Sequence, residues 1–230
     1  TALEAICRRE RGSDLGLQAL TELERRGEKD ALARLLAGLV STNKAAPKVW
    51  TLALLKTASR LKLQPAPYIL DAILASPRVA EVFAAAPLCQ DAAQLDAVLD
   101  LWADKPAVAG PLWVRRCALA EDKQCVAMVT KHLQGKARRS TLRGLRRYPL
   151  AGVREQVALL VRLEENRTVR KEAILALESY ADAAPLSALF TALRAEAAPD
   201  VVITAAQVIG RLGRNPRGSS YRLAEVGYQV

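Results

Sequence analysis

Histidine and methionine occur once each in this 230-residue chain, and Phe, Trp and Tyr together make up 4% of it. With His132 as the only histidine, no Ser/His or Cys/His nucleophilic set arises beyond chance, so no catalytic residue is assigned and a non-enzyme is expected. Four cysteines, at 7, 89, 117 and 125, form no CxxC, and His132 has no ligand partner at zinc-like spacing. A Cys/His metal site is therefore not expected, nor is any cofactor. No apolar run reaches 18 residues, so no segment is expected to span a membrane. Strand alternation and Asn-Gly hairpin signals are missing. Gly213 to Gly218 has phosphate-loop glycine spacing, but Ser219 stands where that loop needs lysine, and a helix rather than a strand precedes it. Acidic residues are missing altogether from Lys123 to Arg154, a stretch with nine basic ones.

What is present is alanine, leucine and valine: the chain is 51% hydrophobic, built from small and straight-chain residues that favour helices and let them approach closely. Apolar residues recur at i, i+3, i+4, i+7 and i+8, as in Leu32, Leu35, Leu36, Leu39 and Val40. The same stripe appears in Ile69, Leu70, Ile73 and Leu74, and in Leu95, Val98, Leu99 and Trp102. Between stripes stand Gly, Pro and Asn turns, with Ser13 or Asp14, Ser76 and Asp91 as candidate helix N-caps. The spacing predicts helices over 14–26, 29–41, 47–61, 67–75, 77–85, 92–103, 107–119, 122–134, 137–148, 153–165, 169–181, 185–197 and 201–212.

The C-terminal half repeats itself every 32 residues. Thr141, Gly144, Leu145 and Tyr148 become Ala173, Ala176, Leu177 and Tyr180, then Ala205, Val208, Ile209 and Leu212. Val157, Leu160 and Val161 become Leu189, Ala192 and Leu193 one step forward, and Cys125, Met128 and Val129 one step back. A fixed period of this length signals stacked supersecondary units, none able to bury its apolar face alone. The fold class expected is all-α, an α-α superhelix of antiparallel helix hairpins, with Leu145, Leu177 and Ile209 in equivalent buried sites. Residues 1–104 read as divergent repeats or a capping bundle, 105–213 as the regular repeats, and 214–230 as a tail.

The stretches NRTVRKEAILALESY from Asn166 and APDVVITAAQVIGRLG from Ala198 share an Asn- or Asp-led turn, a valine, an alanine three or four residues on, and a small-apolar pair. This pattern resembles the short HEAT-like repeats of phycobilin-lyase type, over about 105–213 and most closely over 137–213. The resemblance implies a HEAT-like solenoid. Bilin lyases, scaffolds, chaperones and a group of DNA glycosylases all use such stacks, so fold alone does not choose among them. A glycosylase of this kind would need an acidic residue and aromatics in a concave basic groove, and 123–154 holds no Asp or Glu.

Charge is uneven. Residues 1–104 carry 13 basic and 13 acidic residues, whereas 105–230 carry 21 and 11, the whole net charge of +10. Such asymmetry speaks to partners. In 136–148 a helical wheel gathers Arg138, Arg139, Arg143, Arg146 and Arg147 on one half and Ala137, Thr141, Gly144, Leu145 and Tyr148 on the other. Arginine forks suit phosphate or carboxylate. Arg115, Arg116 and Lys136 are candidate extensions of this face, whose bland alternative is solvated surface. Five like charges on one helix repel, which leads to the expectation that a partner supplies the counter-charge. The partner expected first is a protein held by a scaffold or adaptor; a nucleic acid or other polyanion on the basic 123–154 region is the alternative. Trp50, Trp102 and Trp113 offer stacking surfaces, but Trp102 and Trp113 fall on apolar stripes and read as core. Cys117 and Cys125 flank a short turn and read either as buried small side chains or as a disulfide across a hairpin, which would imply an oxidising compartment. The chain begins at Thr1 rather than Met. A soluble, cytoplasmic protein is favoured, with a removed export signal left open.

Overall fold

The computed structural model describes residues 1–41, 46–75, 78–120, 122–180, 184–195 and 198–212. The described chain is all-helical: fourteen α-helices, two short 3-10 turns at Ala86–Leu88 and Ala151–Val153, and no strand. The helices group into two compact units, Thr1–Leu101 and Trp102–Val230, so the division falls just before the 104/105 expected from charge and periodicity. The tail at 214–230 and the Gly213–Gly218 segment lie outside the described residues.

The first unit holds α1 (Ala2–Arg9), α2 (Asp14–Arg26), α3 (Lys29–Ser41), α4 (Lys48–Arg60), α5 (Pro67–Leu74), α6 (Val79–Ala85) and α7 (Ala92–Leu101). Periodicity missed α1, which buries only Glu4 and Cys7 and so has too thin an apolar stripe to register. Thr1 nucleates it, its hydroxyl accepting from the Glu4 N–H at 3.2 Å. Ser13 caps α2 in the same way, accepting from the Gly16 N–H at 3.2 Å. The Asp91 carboxylate accepts from the Ala93 N–H at the start of α7. Ser76 lies outside the described residues. Each helix packs on the next but one, so α1, α3, α5 and α7 form one row and α2, α4 and α6 a second, with α1–α2, α3–α4 and α5–α6 joining the rows. Trp50 is buried in this unit. Ion pairs tie the rows: Glu4 of α1 to Arg34 of α3 at 2.8 Å, and Glu24 of α2 to Arg60 of α4 at 2.5 Å.

The second unit repeats the arrangement with α8 (Pro106–Leu119), α9 (Lys123–Gln134), α10 (Arg138–Arg147), α11 (Arg154–Leu163), α12 (Arg167–Leu177), α13 (Ala184–Ala195) and α14 (Pro199–Leu212). Here α8, α10, α12 and α14 form one row and α9, α11 and α13 the other. Asp122 caps α9 and Asn166 caps α12 through their side chains. Between the rows runs one core that includes Val114, Val129, Leu142, Leu145, Val157, Leu177, Leu189 and Val208. Leu145 and Leu177 are fully buried. Ile209 is only partly buried against the same core, a departure from the expected equivalence. Trp102 is buried and Trp113 partly so, which places both in packing rather than on a stacking surface.

The closest approach in this unit is between α8 and α10. A Cβ on Gly110 would stand 2.2 Å from the Thr141 hydroxyl, and one on Gly144 would stand 3.2 Å from the Pro111 Cα. Each helix thus contributes one glycine where the other presses in. Thr141 is fully buried, its hydroxyl bonded back to the Ala137 carbonyl at 3.0 Å, so it has nowhere to retreat. Gly110→Ala gains up to about 1 kcal/mol of helix propensity but overpacks the seam by about 1–3 kcal/mol. The net expectation is a destabilised protein, with Thr141→Ala partly restoring it in the double variant; denaturant melts of the four-member cycle measure the coupling.

A second expectation concerns acid. Hydrogen bonding to Arg34, opposed by burial and assisted by Arg8, holds the Glu4 carboxyl down at about 2, against an ordinary value of 4.5. A carboxyl depressed on folding lends stability above its unfolded value and loses it as pH falls through the folded one. Glu4→Gln is therefore expected to lower Tm at pH 7, with the gap to the parent closing between about pH 4.5 and 2 as the parent protonates. A gap that stayed constant across that range would show that the Glu4 side chain acts by packing rather than by charge.

Candidate functional site

The candidate site is the exposed side of α10, RRSTLRGLRR. Thr141, Leu142 and Leu145 bury one side of this helix against α8, α12 and the core, and that burial turns the arginines outward. They do not act as one group. Arg139, Arg143 and Arg146 converge on a single carboxylate, Glu172 of α12, at 3.7, 2.7 and 3.4 Å. The Glu172 side chain is 10% exposed, whereas the three arginine side chains are 52%, 55% and 45% exposed. Arg139 and Arg143 face Glu172 through Nε. Three guanidinium groups against one carboxylate leave a surplus of two positive charges at the surface.

The other candidates take different places. Arg138 turns toward the α9–α11 side, pairing with Glu164 and donating to the carbonyls of Gly135 and Gln134. Burial tends to raise the Glu164 carboxyl, but the Asn166 N–H, Arg138 and Arg170 outweigh it and hold it below the ordinary range. Arg147 and Arg115 of α8 both lie over the Tyr148 ring, 5.6 and 4.8 Å from its centroid, a cation–π arrangement at the end of α10. Arg116 is largely buried and engages Asp122 and the Ala120 carbonyl across the α8–α9 turn, so it serves that turn rather than the arginine face. Its guanidinium, with the Cys125 N–H, also holds Asp122 below its ordinary value. Lys136 is exposed beside the start of α10.

Contrary to the expectation drawn from the acid-free run, part of the counter-charge to α10 comes from this chain. Glu172 stands 26 to 33 residues beyond the arginines it meets, one structural repeat away and outside the 123–154 window. That separation, close to the 32-residue period, was the signal in the sequence that could have pointed to it. The neighbouring seam uses the same device, with Lys171 of α12 on Asp200 of α14 at 3.1 Å and Arg211 of α14 on Glu178, the residue that caps α12, at 2.5 Å. Ser179 adds a hydrogen bond to the Arg146 carbonyl, and the buried Tyr180 hydroxyl donates to the Leu150 carbonyl at 3.1 Å.

On the other row, two shallow cavities of about 390 and 350 Å³ flank α11. Leu133, Leu159, Leu160 and Leu163 line the first with Arg138, Gln134, Gln156, Glu164 and Glu165. Leu159 and Leu163 are 40% and 69% exposed. Among the described residues no group of three His, Cys, Asp or Glu side chains could hold a metal ion, and no helix is long and apolar enough to cross a membrane. His132 is half-buried, and burial, reinforced by Lys131, lowers its pKa.

Cys117 and Cys125, both buried in the core between α8 and α9, are joined as a disulfide with Cα atoms 5.6 Å apart. Cys7 and Cys89 are buried thiols outside any disulfide. Comparison with protein-family models, with curated proteins and with solved structures found no match to this chain.

Closing a loop of this length removes about 2–3 kcal/mol of unfolded-chain entropy in the simplest treatment. Denaturant melts with and without reductant are expected to differ by that order, and the Cys117→Ala/Cys125→Ala protein should not respond to reductant. Identical melts for the oxidised and reduced parent would show that the pair contributes only packing.

Proposed function

We propose that this chain is a non-enzymatic helical-repeat module, a HEAT-like α-solenoid that holds another macromolecule through its surface, and that the partner presents negative charge to α10. The 32-residue echo and the alternate-helix rows of the second unit support the solenoid reading. The similar rows of the first unit favour divergent repeats over a separate bundle for the N-terminal half. One observation carries the anionic partner: Arg139, Arg143 and Arg146 share a single buried carboxylate while about half of each side chain stays in solvent. Exposed like charges at helical spacing disfavour the free helix, and an anionic partner relieves them while releasing its own counterions.

A second reading, a protein partner held at α11, is favoured by the exposed Leu159 and Leu163 between two cavities. Leu159→Ser/Leu163→Ser tests it, since loss of a protein partner with unchanged polyanion binding would move the interface to that row.

The test of the first reading is Arg139→Gln/Arg143→Gln/Arg146→Gln, which retains helix propensity while removing the three charges. With a labelled mixed-sequence duplex, the parent's log affinity is expected to fall linearly with log salt. The triple variant should show a slope shallower by about 2–3, slightly under one for each phosphate it no longer neutralises. If a normally folded variant binds as tightly as the parent at low salt, the arginine face is solvated surface only.

A further inference from the structure

We infer that Glu172 is a positioning residue for a phosphodiester-binding site, so that the α10 arginines form a prearranged nucleic-acid backbone clamp rather than a diffuse basic patch. This rests on the anionic-partner reading above and adds the partner class and the residue that organises the site.

The geometry separates positioning from mere neutralisation. Glu172 meets Arg139 and Arg143 at their Nε atoms. That arrangement takes the inner edge of each guanidinium. The terminal Nη1/Nη2 pair, two parallel donors matched to the oxygens of a phosphate, is left for a second anion. Arg146 closes the set through Nη1 at 3.4 Å. Each exposed arginine otherwise samples many rotamers, and ordering it on binding opposes affinity. A carboxylate that is itself 90% out of solvent and fixed on a neighbouring helix removes much of that freedom beforehand. Glu172 is the natural anchor because it stands on α12, which packs against α10.

Charge density favours nucleic acid over an acidic protein. The three arginines that share Glu172, Arg139, Arg143 and Arg146, lie along about 10.5 Å of helix at ~1.5 Å per residue, a length over which one strand carries about three phosphates. One nucleic-acid strand carries a phosphate per about 3.4 Å of axis. The chain's own carboxylates occupy the inward side, so a partner has to bring groups that reach the outward forks.

Removing Glu172 gives opposite signs for the two roles. Glu172→Gln raises the net charge by one, so simple electrostatics makes it bind a polyanion more tightly. If Glu172 positions the arginines, the same variant binds more weakly in spite of its extra charge. Glu178→Gln on the segment that ends α12 is the control, because it adds the same charge but touches Arg211 instead. The probe is a labelled 20-base-pair mixed-sequence duplex at fixed salt, with a poly-glutamate peptide of equal charge as competitor. Expected results are an about tenfold loss for Glu172→Gln, the summed ordering cost of three long side chains; no loss for Glu178→Gln; and weak competition by poly-glutamate. Glu172→Asp keeps the charge and shortens the reach by one methylene. It should also weaken binding, and it decides the matter if thermal melts show that Glu172→Gln does not fold. Tightening by Glu172→Gln equal to that of Glu178→Gln, or unchanged binding by Glu172→Asp, overturns the positioning role. Displacement of the duplex by poly-glutamate at equal charge overturns the nucleic-acid assignment and points to an acidic protein. Absence of any salt-dependent binding by the parent instead overturns the anionic-partner reading, and this inference with it.

Discussion

One buried carboxylate sets the terms on which α10 exists. A ten-residue helix with five arginines has too few apolar positions to be stable alone, and its like charges lie at spacings that repel. Two things compensate. Its apolar side is pressed into α8 closely enough that a Cβ on Gly110 would clash and one on Gly144 would be tight, and its charged side is drawn to Glu172 on α12. Both depend on neighbouring helices in the row, so the arginine face is a property of the stack and not of the helix. The same logic governs the α12–α14 seam, where opposite charges again sit on successive members of the row.

These interactions explain why the helices were legible from sequence while the site was not. A core stripe repeats at helical spacing within ten or so residues, so elements such as Asp14–Arg26 and Lys29–Ser41 could be read almost to their ends. The missed helix, Ala2–Arg9, carries almost no stripe and is held by a cap and by Glu4 reaching Arg34, 30 residues on. Ion pairs of this kind are invisible to a local window. The arginine run was conspicuous, but its partner was hidden by distance along the chain. Even the helical wheel, which put all five arginines on one side of α10, could not separate Arg138, turned to Glu164, from the trio on Glu172.

Arg115 and Arg116 show the same limit at shorter range. Adjacent in sequence and equal in charge, they point along different directions of α8. Arg115 reaches the Tyr148 ring at the end of α10, and Arg116 closes the α8–α9 turn on Asp122 beside the Cys117–Cys125 disulfide. Basic composition alone treats them as equivalent members of a patch. Their surroundings make one part of the seam with α10 and the other part of a covalently tied hairpin.

The period repeats the core but not the surface, and this bears directly on the partner proposed for α10. One step beyond Arg139, Arg143, Arg146 and Arg147 stand Lys171, Leu175, Glu178 and Ser179; a second step gives Ile203, Gln207, Gly210 and Arg211. Leu145 and Leu177, by contrast, keep the same buried place in successive repeats. The cationic face therefore belongs to one helix and does not run as a stripe along the row. Glu172 has no acidic counterpart either, since Ser140 precedes it and Thr204 follows it at the same spacing. A row of identical repeats would offer a partner many equivalent registers. A single arginine helix with its own dedicated carboxylate offers one, and on the proposed function it would fix where on the stack an anionic partner is held.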